Sequence, residues 1–275
     1  AGGQTRHPAH LVEEVVFDNT SARLAGTLSL PATPGPHPAI VLIPGSGEVD
    51  RGGSLFGHQC YLVLADHLTR RGFAVLRSDK RGLGKSGGDF AQATSLDFAA
   101  DIQTGVAFLR SRPEIDAGRI GLIGHSEGGL IGSLVASRDP AIAFLVLMAG
   151  NGIPARDMLL SRTRRQAAPG RVDKELALQR AVLSAVTAPG AEAAVRGLYL
   201  AAQREGGRAF SPDEAALYLS PWMRTLLALD PQAPLRRLHC PVLALVGDKD
   251  QVVAADENIP ALLAGESRPL SDAAR

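Results

Sequence analysis

A serine lies at the centre of a glycine-rich run that directly follows an apolar segment. The apolar segment is Ile120–Ile123, and the run that follows it is Gly124-His125-Ser126-Glu127-Gly128-Gly129. G-x-S-x-G between a strand and a helix is typical of a sharp turn that exposes a nucleophilic serine. Small residues suit positions 124 and 128, because such a turn brings two backbones close together. The alternative is a glycine-rich turn whose serine only caps the helix. The flanking segments favour the first interpretation, so Ser126 is predicted to be a nucleophile.

Two aspartates follow a later apolar run, Val242–Val246, in the sequence Gly247-Asp248-Lys249-Asp250. If both runs are parallel strands, their carboxyl ends lie at the same edge of one sheet. A carboxylate at that edge could fix the tautomer of a histidine and stabilise its imidazolium during acyl transfer. Either aspartate could instead cap a turn, or a helix that begins near Asn258.

The elements that must position these side chains can be predicted from the spacing of apolar residues. Two strand-like stretches, Glu13–Phe17 and Arg23–Leu30, predict a β-hairpin. Runs that are apolar on both faces predict central parallel strands; they are Ala39–Ile43, Phe73–Leu76, Ile120–Ile123, Ala143–Met148 and Val242–Val246. Helical patterns lie between them: Gln59–Arg71, Leu96–Arg112 behind a Ser95 cap, and Gly128–Ser137. The alternation predicts an α/β fold with a mainly parallel, helix-covered sheet.

The alternation stops after residue 150. Residues 151–230 carry helical patterns, and Ser211-Pro212-Asp213-Glu214 within them resembles a capping box. We therefore expect three parts: a first core segment at 1–150, a helical insertion at 151–230 that could form a lid over the sheet, and a second core segment at 231–275.

Five segments together resemble the α/β-hydrolase superfamily, and within it a bacterial group of serine esterases and acyl hydrolases. They are Gly45-Ser46-Gly47, residues 65–72, Asp79-Lys80-Arg81-Gly82-Leu83-Gly84-Lys85-Ser86, Gly124–Gly129 and Gly247–Asp250. The resemblance covers about residues 11–265. It implies the α/β-hydrolase fold and a serine esterase that needs no metal or organic cofactor.

The resemblance also implies a role for each site residue. Ser126 is the nucleophile, and the acid is Asp250, with Asp248 in reserve. The backbone amides of Ser46 and Glu127 form the oxyanion hole. Such amide donors stabilise the negative charge that an attacked ester carbonyl develops on its oxygen, by about 3 to 4 kcal/mol each.

The expected histidine base is missing from its place in chain order, which is Ser, Asp and then His. None of the seven histidines follows Asp250: they are His7, His10, His37, His58, His67, His125 and His239. His58 and His125 are the candidate substitutes. The further strand that the resembling family implies at this point is also missing, so Ala264–Arg275 has the appearance of a truncation, a frameshifted end or a replaced terminus. We therefore expect a hydrolase that is impaired in this form, with a catalytically inactive scaffold for acyl ligands or proteins as the alternative. Peptidase and thioesterase chemistry are less favoured than ester hydrolysis.

Composition limits the partners. Twenty-nine basic and 28 acidic side chains give a net charge of +1 without a block of five like charges, so no nucleic-acid partner is expected. The resemblance implies a small-molecule ester or acyl substrate. No apolar run approaches the roughly 20 residues of a membrane span.

Gly82-Leu83-Gly84-Lys85-Ser86-Gly87 fits a dinucleotide-binding pattern but does not open directly into a helix. The sequence leaves two alternatives for the compartment: the protein is cytoplasmic, or it is exported and its leader has been removed. An exposed edge at residues 242–246 would permit a homodimer.

Overall fold

The computed structural model of the chain describes residues 10–55, 57–205 and 211–265. Its main sheet has seven strands in the order β1-β2-β6-β3-β7-β8-β9. Strands β1 and β2 form an antiparallel hairpin, β2 pairs antiparallel with β6, and the other neighbours are parallel. The strands are β1 His10–Asn19, β2 Ala22–Pro31, β3 His37–Ile43, β4 Ser54–Leu55, β5 His58–Gln59, β6 Ala74–Ser78, β7 Ile115–His125, β8 Ile142–Met148 and β9 Val242–Leu245. The predicted α/β fold with a hairpin and a mainly parallel sheet is confirmed.

Ten helices accompany the sheet in the described ranges. They are α1 Cys60–Thr69, α2 Ser95–Arg110, α3 Glu127–Ala136, α4 Ala155–Gln166, α5 Val172–Ala185, α6 Ala191–Arg204, α7 Pro212–Leu219, α8 Pro221–Ala228, α9 Gln232–Leu235 and α10 Ala255–Gly265. Among these described helices, none is both long and apolar enough to cross a membrane.

Both faces of the central strands are buried, because their side chains alternate between two apolar layers. In β3, Val41 and Ile43 belong to the larger core cluster, to which α2 and α3 contribute. Ile40 and Leu42 point the other way and pack with residues of α1. This two-sided burial explains why β3 has a continuous apolar sequence rather than an alternating one.

Helices α5, α6 and α8 share a small apolar core of their own, formed by Val182, Val186, Val195 and Met223. Trp222, at the start of α8, packs against both this cluster and the main core. The segment between β8 and β9 is therefore helical, as its sequence pattern predicts. Its role as a lid and the division of the chain into three parts stay predictions.

Two local predictions need correction. Helix α2 is capped by Thr94 rather than Ser95, because Thr94 and Asp97 form a reciprocal capping box. Ser95 is the first residue of the helix, and its hydroxyl is used elsewhere. The helix predicted near Asn258 begins earlier, at Ala255, so Asn258 lies inside it. The predicted absence of a last strand concerns residues 264–275, of which Ala264 and Gly265 end α10 and residues 266–275 lie outside the described residues.

Candidate active site

Ser126 lies at the junction of β7 and α3, in a backbone conformation that few non-glycine residues adopt. Its φ is 54° and its ψ is −121°, and its N–H donates to the carbonyl of Met148 at 2.9 Å. A Cβ on Gly124 would overlap the backbone of Gly128, and a Cβ on Gly128 would overlap the carbonyl oxygen of Ile43. Glycine is thus required at both positions by close backbone contacts. Ser126 itself is half-buried.

The loop after β3 passes directly beside this serine. A Cβ on Gly45 would lie 3.2 Å from the Ser126 Cβ and 3.1 Å from the His125 Nδ1. Ser46 follows as an exposed residue. Because β3 and β7 are parallel neighbours, their carboxyl ends are adjacent, and so are the two segments that carry the predicted oxyanion donors, Ser46 and Glu127.

His125 contacts a tyrosine that the sequence did not single out. The Tyr61 hydroxyl lies 2.9 Å from the His125 Nδ1, and it accepts a longer hydrogen bond of 3.4 Å from the Gly45 N–H. Burial raises the pKa of Tyr61 to about 12, and burial also lowers the pKa of His125, an effect that Asp250 opposes. The hydrogen bond with Tyr61 engages His125 through Nδ1, the ring nitrogen that lies beside the Gly45 backbone.

Asp250 follows β9 at the same edge of the sheet, near enough to His125 to influence its pKa. Its Oδ1 accepts hydrogen bonds from the N–H groups of Val252 at 2.8 Å and Val253 at 2.9 Å. Asp250 therefore supports the turn that precedes α10, which is the role that the sequence gave as its alternative. Its role as the acid of a triad stays a prediction. Asp248 is exposed in the same turn.

The Glu127 side chain is buried, with 1% of its surface exposed. Its Oε1 accepts two hydrogen bonds of 2.7 Å, from the Ser95 hydroxyl and from the Trp222 indole N–H. Its Oε2 has no hydrogen-bond partner among the described residues. This carboxylate joins the start of α3 to the starts of α2 and α8, so it anchors more than the local turn.

Lys80 reaches the same edge from the end of β6. Its ammonium donates to the carbonyl of Gly45 at 2.6 Å and to that of Gly47 at 3.0 Å. The Phe98 ring centre lies 4.8 Å from the nitrogen. Burial lowers the pKa of Lys80, and the charge of Glu127 opposes that effect.

Asp79 stabilises the loop formed by residues 79–86. It binds the Arg51 guanidinium at 3.0 and 2.9 Å and accepts the Lys85 N–H at 3.0 Å. Ser86 closes the loop by donating to the Asp79 carbonyl at 2.9 Å. Residues 79–86 thus surround a carboxylate, which argues against the dinucleotide-binding pattern that part of this segment fits.

The other histidines lie away from Ser126 or contact other groups. His58 is exposed on the short strand β5, and His239 is exposed before β9. His67 faces solvent beside Arg71, with 3.0 Å between its Nδ1 and the guanidinium.

His37 is buried at the start of β3, the opposite end from the serine edge. His10 lies 3.5 Å from Asp66, and His7 lies outside the described residues. In the described ranges, no group of three or more His, Cys, Asp or Glu residues could hold a metal ion.

Sequence reasoning assigned no role to Tyr61 or Lys80. Tyr61 belongs to the apolar pattern of α1 and is indistinguishable there from a core residue. Lys80 stands inside the Asp79–Ser86 segment on which the resemblance partly rested, so its position was marked although its contacts were not. Only the pairing of β3 with β6 brings Lys80 beside the 45–47 loop.

A mainly parallel sheet, covered by helices on both faces and carrying a serine on a tight strand-to-helix turn, defines the α/β-hydrolase class. Residues 39–186 match the model of the family described as serine aminopeptidase, S33. The chain belongs to this family.

Individual relatives point to the same class. Over 244 residues the chain is 25% identical to "Esterase EstD" of Thermotoga maritima, covering 88% of this chain and 54% of EstD. Over 129 residues it is 31% identical to "Acyl-coenzyme A thioesterase 2, mitochondrial" of Mus musculus, covering 47% of this chain and 25% of the thioesterase. The chain thus spans about half or less of the length of these curated relatives.

Solved structures show the same fold. The ferulic acid complex of Est1E from Butyrivibrio proteoclasticus superposes with a TM-score of 0.59 at 18% identity, covering 93% of this chain and 86% of Est1E. At that identity the likeness shows the fold alone.

Proposed function

We propose that this protein is a serine hydrolase that cleaves carboxylic esters through an acyl-enzyme. The Ser126 Oγ attacks the ester carbonyl carbon, and the amides of Ser46 and Glu127 stabilise the oxyanion. The tetrahedral intermediate then expels the alcohol, which takes up the proton lost by the serine. Water cleaves the acyl-serine bond, releases the carboxylic acid and restores the hydroxyl.

One observation carries the proposal: Ser126, at positive φ, lies directly against the Gly45 backbone. The hydroxyl and the two amides therefore share one edge of the sheet. Because Ser126 is half-buried rather than enclosed, a substrate carbonyl could reach it. The family and the esterase relative support an ester hydrolase and do not favour an inactive scaffold.

The helical segment 151–230 supports an acyl substrate of moderate apolar character. Trp222 packs against the apolar cluster of this segment and donates to Glu127 at the start of α3, so we propose that the segment acts as a lid. The thioesterase relative raises thioester cleavage as a second candidate reaction. The two reactions use the same serine and differ only in the leaving group.

No residue is assigned as the catalytic base. The His125 Nδ1 is engaged by Tyr61, and none of the histidines in the sequence follows Asp250. A serine hydroxyl without an adjacent general base is a weak nucleophile, so acylation of Ser126 is expected to be slow. We therefore propose that the 275-residue chain is a slow esterase whose remaining rate depends on Ser126.

The test is a panel of p-nitrophenyl esters of increasing acyl length, hydrolysed by the wild-type chain and by Ser126→Ala. We expect a low rate that falls to background in the variant. Ser137→Ala is the matched control, because Ser137 lies at the other end of α3 and its hydroxyl only contacts the Leu134 carbonyl. Equal rates for wild type and Ser126→Ala would overturn the proposal and support a binding scaffold.

A further inference from the structure

Lys80 is a buried cation whose two hydrogen bonds both go to one loop. Its side chain is 7% exposed, and its partners are the carbonyl oxygens of Gly45 and Gly47. These carbonyls flank Ser46, the predicted oxyanion donor. Lys80 is brought there by topology, since β6 and β3 are parallel neighbours whose carboxyl ends meet at one edge.

The geometry of the peptide group links these carbonyls to the oxyanion hole. In a trans peptide the C=O of one residue and the N–H of the next point in opposite directions. The carbonyl of Gly45 shares its peptide group with the N–H of Ser46. When the Lys80 ammonium binds the Gly45 carbonyl oxygen, the Ser46 N–H therefore points away from that ammonium.

We propose that Lys80 is a positioning residue of the oxyanion hole, which fixes the Ser46 amide by holding the Gly45 and Gly47 carbonyls. The inference rests on the proposed function, because it concerns the donor that the ester oxygen meets. Lys80 does not touch the substrate and acts through the loop.

The charge of Lys80 strengthens the same donor. An ammonium bound to a carbonyl oxygen polarises the peptide group, and its N–H becomes a better donor, as in other hydrogen-bond chains. A neutral donor could satisfy the same carbonyls with a smaller cost of desolvation. The charge in this buried position therefore points to the electrostatics of the site rather than to loop stability alone.

The surroundings of Lys80 keep its ammonium in place. The rings of Phe98 and Phe90 lie 4.8 and 5.8 Å from the nitrogen and leave it little freedom to turn towards solvent. Cation–π contacts of this kind stabilise a desolvated ammonium. Glu127, whose backbone carries the other predicted oxyanion donor, contributes a favourable charge.

The experiment compares Lys80→Met with wild type on an oxoester and on the matching thionoester, in which sulfur replaces the carbonyl oxygen. Methionine keeps the apolar stem but removes the charge and the donors. We expect kcat on the oxoester to fall by about 10- to 100-fold, somewhat less than the loss of a whole oxyanion donor, with KM unchanged. Sulfur is a weak acceptor in a site built for oxygen, so the thionoester rate should change little and the oxo-to-thiono ratio should fall.

Arg77→Met is the matched control. Arg77 is another buried cation, three residues earlier, and it donates to the Arg51 carbonyl rather than to the 45–47 loop. This variant also loses a buried cation, but its oxo-to-thiono ratio should stay at the wild-type value. Thermal unfolding of each variant is measured alongside, to compare their stabilities.

Three outcomes would overturn the inference. Lys80→Met could keep the wild-type ratio, it could slow both esters equally, or Arg77→Met could lower the ratio as much. If Lys80→Met does not fold, Lys80→Leu also removes the charge and the donors, and a wild-type ratio in that variant would equally contradict the inference. Failure of the proposed function is recognised separately, because Ser126→Ala would then hydrolyse the oxoester as fast as wild type.

Discussion

Ser126 holds a backbone conformation that typically costs about 1 to 3 kcal/mol in a residue other than glycine. The surrounding structure maintains it through the hydrogen bond to Met148 and through two glycines that let the chain pass closely on either side. Strain of this kind is common where a side chain must be presented in one direction. At the scale of single residues, these contacts favour Ser126 as the reactive group.

Gly128→Ala should destabilise the protein by at least about 1 to 3 kcal/mol, the range found for overpacked sites. The added methyl group would overlap the carbonyl oxygen of Ile43, and the backbone of β3 cannot move without disturbing the sheet. Urea unfolding measures the change. Gly197→Ala is the control: position 197 lies in α6 with open space around it, and alanine there should stabilise the helix by about 0.5 to 1 kcal/mol. Equal stability of Gly128→Ala and wild type would contradict the account of the turn.

Local sequence predicts a residue well where one motif determines its surroundings, and poorly where a distant contact does. The Gly124–Gly129 run contains both the serine and the glycines that shape its turn. The sequence predicts Ser95 as the cap of α2, whereas Thr94 is the cap in the structure. The sequence alone does not separate the two, because they are neighbouring hydroxyl residues. Ser95 is instead used by Glu127, 32 positions further along the chain, and no local pattern indicates such a contact.

At the scale of elements, the Glu127 carboxylate connects three helices. It belongs to α3, and its partners are Ser95 of α2 and Trp222 of α8. The predicted lid is therefore hydrogen-bonded to the residue whose backbone is a predicted oxyanion donor. The position of α8 and the geometry of the turn should depend on each other.

Trp222→Phe should lower the free energy of unfolding by about 1.5 to 3 kcal/mol, the usual value for a hydrogen bond to a charged group. It should also raise KM for longer acyl esters, because the predicted lid loses its bond to Glu127. Urea unfolding and ester kinetics measure the two effects.

The control for this change is Tyr218→Phe, which removes a hydroxyl that bonds to Gln179 within the helical segment. KM should stay at the wild-type value in that variant. If both variants raise KM to the same degree, the bond between α8 and Glu127 has no special role.

Strands and helices of the core were predictable because their apolar periods are strong and their burial is two-sided. The strand runs around residues 40, 75, 122, 145 and 243 all correspond to strands of the sheet. The order of these strands was not predictable in the same way, since it depends on pairings between segments far apart in the chain. Boundaries within 151–230 were also open, because amphipathic helices in succession give no strand signals to separate them.

At the scale of the whole molecule, β9 is the last strand on its side of the described sheet. Leu243 and Leu245 are 38% and 43% exposed, and they lie beside the half-buried Val146 and Met148 of β8. An apolar sheet edge of this kind is a template for pairing with another strand. We expect a second copy of the chain to pair there.

Sedimentation at rising protein concentration should show a reversible monomer–dimer equilibrium. Leu245→Lys should shift it towards monomer, because a lysine would be forced against the apolar face of the partner. Val63→Lys is the control, since Val63 is 68% exposed on α1, away from β9. A strictly monomeric wild-type chain at high concentration would contradict the dimer.

The whole architecture brings five distant segments to one edge: the 45–47 loop, Lys80, Ser126, the loop after β8 and the turn at Asp250. We propose Ser126 as the nucleophile at this edge. Intact-mass and peptide mass spectrometry after incubation with a fluorophosphonate probe tests this assignment. We predict a single, slowly formed adduct on Ser126 that is absent from Ser126→Ala. An adduct on another residue, or equal labelling of wild type and Ser126→Ala, would contradict the claim, and rapid stoichiometric labelling of Ser126 would contradict the expected impairment.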